Sequence, residues 1–115
     1  MTFKRGDVVL VLFPDSNLRT AKRRPALVVQ ADNLGTGLPQ TIVAMITSNL
    51  ARAGHDSRLT VCLGTPEGRY TGLLADSVIM TDNLATVLDS EIDRAIGGWT
   101  DVAALNAALR RTLAL

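Results

Sequence analysis

The sequence predicts a mainly β domain: a partly closed antiparallel barrel with one helix packed on it. Three observations carry that expectation. Short apolar runs rich in Val, Ile and Leu recur along most of the chain, each of strand length. Clusters of Gly, Pro, Asp and Asn punctuate them as turns do. Only near the C-terminus does the spacing become helical, with Val102, Leu105, Leu109 and Leu113 on one stripe.

Gly6-Asp7 signals a turn, and Val8 to Phe13, ended by Pro14, reads as the first strand. A polar loop follows, carrying Asn17, Arg19 and Lys22 and leading into Arg23. It is longer than a tight hairpin needs, and it reads equally as a functional loop or as ordinary solvated charge. Next comes Arg24-Pro25, then the apolar run from Ala26 to Gln30. Proline fixes its own φ and drives the preceding residue toward extended geometry. The second strand is therefore expected to be buried on both faces, with Arg24 held at its mouth. A rigidly held cation suits a phosphate, while Arg23 and Arg24 also suit the role of gatekeepers beside an aggregation-prone strand.

Asp32 to Pro39, with Gly35 and Gly37, is a connection, and Thr41 to Ile46 is a third strand running into Thr47-Ser48-Asn49. Those polar groups can line a site or cap local backbone. Residues 50–57 read as a loop in which His55 is solvated and not catalytic. Leu59 to Leu63 is a fourth strand, with Cys62 as small core packing. Thr65 to Thr71 is turn-rich, and Leu73 to Met80 is a fifth strand. Thr81 to Leu84 reads as a turn or one helical turn, before short strands at Ala85–Leu88 and Ile92–Ile96. Gly97-Gly98 ends the last of these. Thr100 is the expected N-cap of a helix over Asp101–Leu113, with Arg110 and Arg111 suiting its C-terminal end.

A chain of 115 residues suits one domain, 1–115, large enough for a core without staples. With 47% hydrophobic and 20% charged residues it is not a disordered composition. A net charge of +1 provides no global pull on polyanions, so any such contact needs a local cluster. The single cysteine fits a reducing cytoplasm, and no signal pattern or membrane-length apolar run is present.

These residues resemble the MazF/PemK toxins of bacterial type II toxin–antitoxin modules along nearly the whole chain. The resemblance rests on Gly6-Asp7-Val8-Val9-Leu10-Val11 with Phe13-Pro14, and on Lys22-Arg23-Arg24-Pro25-Ala26-Leu27-Val28-Val29. Ile46-Thr47-Ser48-Asn49, Gly72 to Ile79, Asp82 to Val87 and the closing helix continue it in order. It implies an SH3-like barrel of the MazF/PemK/CcdB kind, a homodimer, and metal-independent, sequence-specific cleavage of single-stranded mRNA with no cofactor. It also implies a MazE-like antitoxin partner with a disordered tail. The family's catalytic arginine falls on Arg24 and its threonine on Thr47, with Ser48 beside it. The segments 15–21 and 50–57 lack a family pattern.

RNA carries its own nucleophile, the 2′-OH. Arg24 offers a planar fork for phosphate oxygens, and Thr47 and Ser48 offer hydroxyl donors. Arg19, Lys22 and Arg23 are the expected phosphate contacts, with Asn17 and Asn49 as hydrogen-bond readers. Aromatics are only 3% of the chain, which leaves Phe3, Phe13, Tyr70 and Trp99 as the few stacking candidates, Trp99 more naturally as core. Asp76 and Asp82 are the carboxylates nearest the matched segments, expected in turn and strand-end bonding. Because fold alone does not fix function, a gyrase-binding toxin on the same barrel, or a degenerate homologue that only binds a partner, are the alternatives.

Overall fold

A computed structural model describes residues 3–14, 17 and 19–115, with the side chains of Phe13 and Pro14 outside the described set. Residues 15, 16 and 18 of the expected polar loop, and Phe13 as a stacking side chain, therefore lie outside it. The described residues form six strands: β1 Asp7–Pro14, β2 Ala21–Val28, β3 Gln40–Thr47, β4 Arg58–Val61, β5 Ser77–Leu88 and β6 Ile92–Gly98. A short helix, α1 Pro66–Tyr70, joins β4 to β5, and α2 Val102–Leu113 closes the chain. The strand order β4-β5-β3-β2-β1-β6 is antiparallel throughout, and the sheet curls into a half-barrel.

Alternation along the central strands fills both faces of this sheet, as the apolar run of β2 requires. Ala26 and Val28 pack with Val9, Val11, Val43, Val87 and Ile92 on one face. Leu27 and Val29 pack with Val8, Ile46, Ile79 and Leu105 on the other. Leu105 and Leu109 of α2 cover that second face, and Trp99 packs beside them. Arg5 fastens the helix to the sheet, donating from Nη2 to Asn106 Oδ1 at 2.7 Å and from Nε to the Val29 carbonyl at 3.0 Å.

Several expectations need correction, most because a partner distant in sequence overrides a local signal. β2 begins at Ala21, so Arg23, Arg24 and Pro25 lie inside a strand, with Arg24 opposite Val11 of β1. β3 pairs with β2 only over Ala26–Val28, so Pro25 has a strand neighbour on one side alone. A missing N–H is tolerated in that setting. The expected turn at Thr81–Leu84 is a bulge within one long strand: Met45 pairs with Met80 but Ala44 with Leu84. Thr81 is buried there, its hydroxyl donating to the Ser57 carbonyl, and Asp82 pairs with Arg58 at 2.8 Å.

Cys62 is exposed rather than core, because β4 ends at Val61, which takes the inward position. The Cys62 carbonyl accepts from Thr65 Oγ1 at 2.7 Å, and Thr65 caps α1 by accepting from Gly68 N at 3.0 Å. The helix cap moves by one residue: Asp101, not Thr100, accepts from Ala104 N at 3.0 Å. A carboxylate there also complements the helix dipole.

Gly72 sets the position of the segment that follows α1. Its φ is +73°, and a Cβ there would stand 2.0 Å from the Ile96 carbonyl oxygen of β6. Neither the backbone angle nor the space admits a side chain. Gly72→Ala is expected to destabilise the fold by about 2 kcal/mol or more, read as a shift in denaturant midpoint. Gly64→Ala, where nothing lies within 4 Å, is expected to stay within about 0.5 kcal/mol of wild type.

The Arg58–Asp82 pair generates a pH prediction. Hydrogen bonding from the Arg58 guanidinium holds the Asp82 carboxyl below its ordinary value. A depressed carboxyl stabilises the fold above its unfolded-state pKa of about 3.9, and loses that contribution as acid protonates it. Wild type is therefore expected to lose stability below about pH 4 more steeply than Asp82→Asn, in urea melts across that range.

Candidate active site

A cleft of about 500 Å³ opens where β1, β2, β3 and β6 meet the segment after α1. β2 contributes Arg23, Arg24 and Pro25, and the end of β3 contributes Thr47 with Ser48 just beyond it. Leu10, Ile46, Leu73 and Ile96 supply apolar surface between these polar groups. Charge interactions are stronger against such low-dielectric walls than in open water.

Pairing explains why these residues meet. Arg24 stands opposite Val11, and Thr47 opposite Val78 at the far end of β3. β2 outruns its pairing with β3, so Arg24 is exposed on a strand with β1 alone beside it. Among the described residues no hydrogen bond or ion pair holds its guanidinium. Thr47 Oγ1 accepts from Asn49 N at 3.1 Å, which leaves the hydroxyl proton to donate elsewhere. Ser48 is exposed beside it.

The other expected contacts lie outside the cleft lining. Asn17, Arg19, Lys22 and Asn49 do not line it. Asn17 Oδ1 accepts from Arg19 N at 2.8 Å, and Asn49 Oδ1 accepts from Ala51 N at 3.1 Å. Both side-chain carbonyls thus hold turns, the commoner use of asparagine in such places. Arg19, on the loop, and Lys22, near the start of β2, are exposed along the chain leading into the site. His55 is exposed on its loop, as expected, its Nδ1 accepting from Ser57 N at 3.1 Å.

Among the described residues no carboxylate lines the cleft. Asp76 accepts from Leu63 N at 2.8 Å, and Asp82 is held by Arg58, so both do the strand-end work expected of them. Arg23 is paired with Asp93 at 3.1 Å. Among the described residues no three His, Cys, Asp or Glu side chains cluster as metal ligands would. The lining also includes Arg94 and the segment Leu73–Ala75, which the sequence reading passed over. Two adjacent charges within an otherwise apolar strand, Asp93-Arg94, were the available signal.

A family model described as PemK-like, MazF-like toxin of type II toxin-antitoxin system matches residues 4–113. No curated protein gives a significant sequence match. Several solved structures share the fold. An endoribonuclease from Mycobacterial species is 20% identical with a TM-score of 0.72, the match covering 100% of this chain and 94% of that one. The Mycobacterium tuberculosis toxin MazF-mt6 is 22% identical with a TM-score of 0.72, covering 95% of this chain and 97% of that one. A Deinococcus radiodurans MazE-MazF structure is 17% identical with a TM-score of 0.73, covering 100% of this chain and 99% of that one.

Proposed function

Since the chain belongs to the PemK-like, MazF-like toxin family of type II toxin–antitoxin systems, we propose that it is a sequence-specific endoribonuclease acting on single-stranded mRNA. One observation carries this reading: the Arg24 guanidinium, unpaired among the described residues, shares a cleft with the hydroxyls of Thr47 and Ser48.

In the proposed reaction the 2′-oxygen attacks the adjacent phosphorus and the bond to the 5′-oxygen breaks. The products are a 2′,3′-cyclic phosphate and a 5′-hydroxyl end. Arg24 meets the non-bridging oxygens with its fork of donors and offsets the growing phosphorane charge. Its role is that of a fixed positive charge with a planar fork, not of a proton donor. Thr47, its oxygen already held by Asn49 N, donates to the same phosphate, with Ser48 beside it. Among the described residues no carboxylate or imidazole lines the cleft, and in this reading water exchanges the protons at the 2′- and 5′-oxygens. The reading routes no step through a metal.

The same reading gives the protein a homodimeric state and a cytoplasmic setting. It also gives it an antitoxin whose disordered tail folds over the basic cleft and blocks RNA. Two of the solved neighbours support an antitoxin partner as such, being complexes of an endoribonuclease with its cognate antitoxin and of MazE with MazF. No helix among the described residues is long and apolar enough to cross a membrane.

Purified protein incubated with long RNA in EDTA, followed by sequencing of the cleaved ends, tests the function and reads its specificity together. Discrete cuts at a common motif are expected, and a 2′-deoxy nucleotide at the cut site is expected to block them. Arg24→Ala and Thr47→Val are each expected to slow cleavage about a hundredfold, as loss of one oxyanion donor does. Thr47→Ser, which keeps the hydroxyl, is expected to retain most activity. Inhibition of DNA gyrase with RNA left intact would replace this reading.

A further inference from the structure

We propose that Arg94 is a second phosphate-binding residue of the cleft, held in reserve with Arg23 by Asp93, so that RNA binds by displacing that one carboxylate. The inference rests on the RNA-cleaving reading and adds a residue to its binding surface.

The pairing of β6 with β1 carries it. Leu10 pairs with Arg94 while Val11 pairs with Ile92, so Asp93 is an extra, unpaired residue in β6. A bulge of this kind re-aims side chains at a strand edge and is common beside functional sites. Without it, neighbouring residues 93 and 94 would point to opposite faces of the sheet. With it, Asp93 Oδ2 receives both Arg94 Nη1 at 2.8 Å and Arg23 Nε at 3.1 Å. Leu10 also pairs with Pro25 on its other side, so Arg94 and the Arg23–Arg24 segment flank β1 at one level. Two strand spacings separate β6 from β2 there, about 10 Å, a gap that long arginine side chains can span.

A structural ion pair would match one cation to one carboxylate and bury both. Here one oxygen serves two guanidiniums whose side chains are 64% and 59% exposed. Both also line the cleft, where no carboxylate among the described residues does. The three groups carry a net positive charge, and each guanidinium keeps most of its five N–H donors unused. A phosphate offers several oxygens and planar bidentate bonding, so it competes well for both. Asp93, left beside the bound strand, repels it. Bound RNA therefore spans Arg24 at the scissile phosphate and Arg94 at a neighbouring one.

A fluorescent, non-cleavable 2′-O-methyl RNA of mixed sequence tests this by anisotropy across a KCl series, independently of any cutting. Arg94→Ala is expected to weaken binding about three- to tenfold and to flatten the salt slope by about 0.7, the loss of one single-strand phosphate contact. Arg94→Lys should restore the slope, and Asp93→Asn should tighten binding about threefold. Arg111→Ala, outside the cleft, should change nothing. Each variant is checked for an unchanged thermal melt. An unaltered slope in Arg94→Ala, or weaker binding in Asp93→Asn, overturns the inference while cleavage by wild type keeps the enzyme reading intact. Failure of wild type to bind the RNA overturns both.

Discussion

The cleft depends on one mismatch in strand pairing: β2 runs five residues beyond the stretch that β3 covers. Over that overhang the chain is held by β1 alone, and there Arg23, Arg24 and Pro25 fall. Strand geometry fixes where Arg24 begins, and the absent neighbour leaves room for what it faces. Proline reinforces both effects. Its ring stiffens the backbone, and its lack of an N–H prevents a further strand from pairing at that point. The guanidinium that results is positioned but uncommitted, a combination that suits transient charge.

The core serves this arrangement from both sides. Alternate residues of β2 are buried in opposite clusters, so the strand cannot slip by one residue without exposing all of them. Register therefore propagates outward to Arg24. The opposite wall is tied by Gly72, whose backbone approaches Ile96 too closely for any other residue. The end of β3 adds Thr47 and Ser48 from the middle of the sheet, leaving β4, the bulge of β5 and α2 as scaffold.

Much of this was legible in the sequence. Apolar runs located β1, β3, β6 and the inner half of β2, and the helical stripe located α2 within a residue. Arg24, Thr47 and Ser48 were singled out by their neighbours in sequence and by family resemblance, and they do share a cleft. The failures have a common physical cause. Asp82-Asn83 looks like a turn locally, yet Thr81 and Asp82 are satisfied by Ser57 and Arg58 on another strand. Cys62 looked like core because it follows an apolar run, but where β4 stops is decided by its pairing with β5. The Asp93 bulge exists only in the register between β6 and β1, elements at opposite ends of the chain. Local spacing cannot show a register of that kind. Asn17 and Asn49 each use the side-chain oxygen to hold a turn, a local role that sequence alone does not separate from base reading.

The central claim is that Arg24 acts by fixed charge and not by giving up a proton. Single-turnover cleavage by wild type and Arg24→Ala of RNA whose scissile bond ends in the ordinary 5′-oxygen or in a bridging 5′-sulfur tests it most directly, because a thiolate leaves without taking a proton. A purely electrostatic role predicts the same fold-loss in Arg24→Ala on both substrates. A loss that largely disappears with the sulfur leaving group would show residue 24 supplying a proton, and would contradict the account.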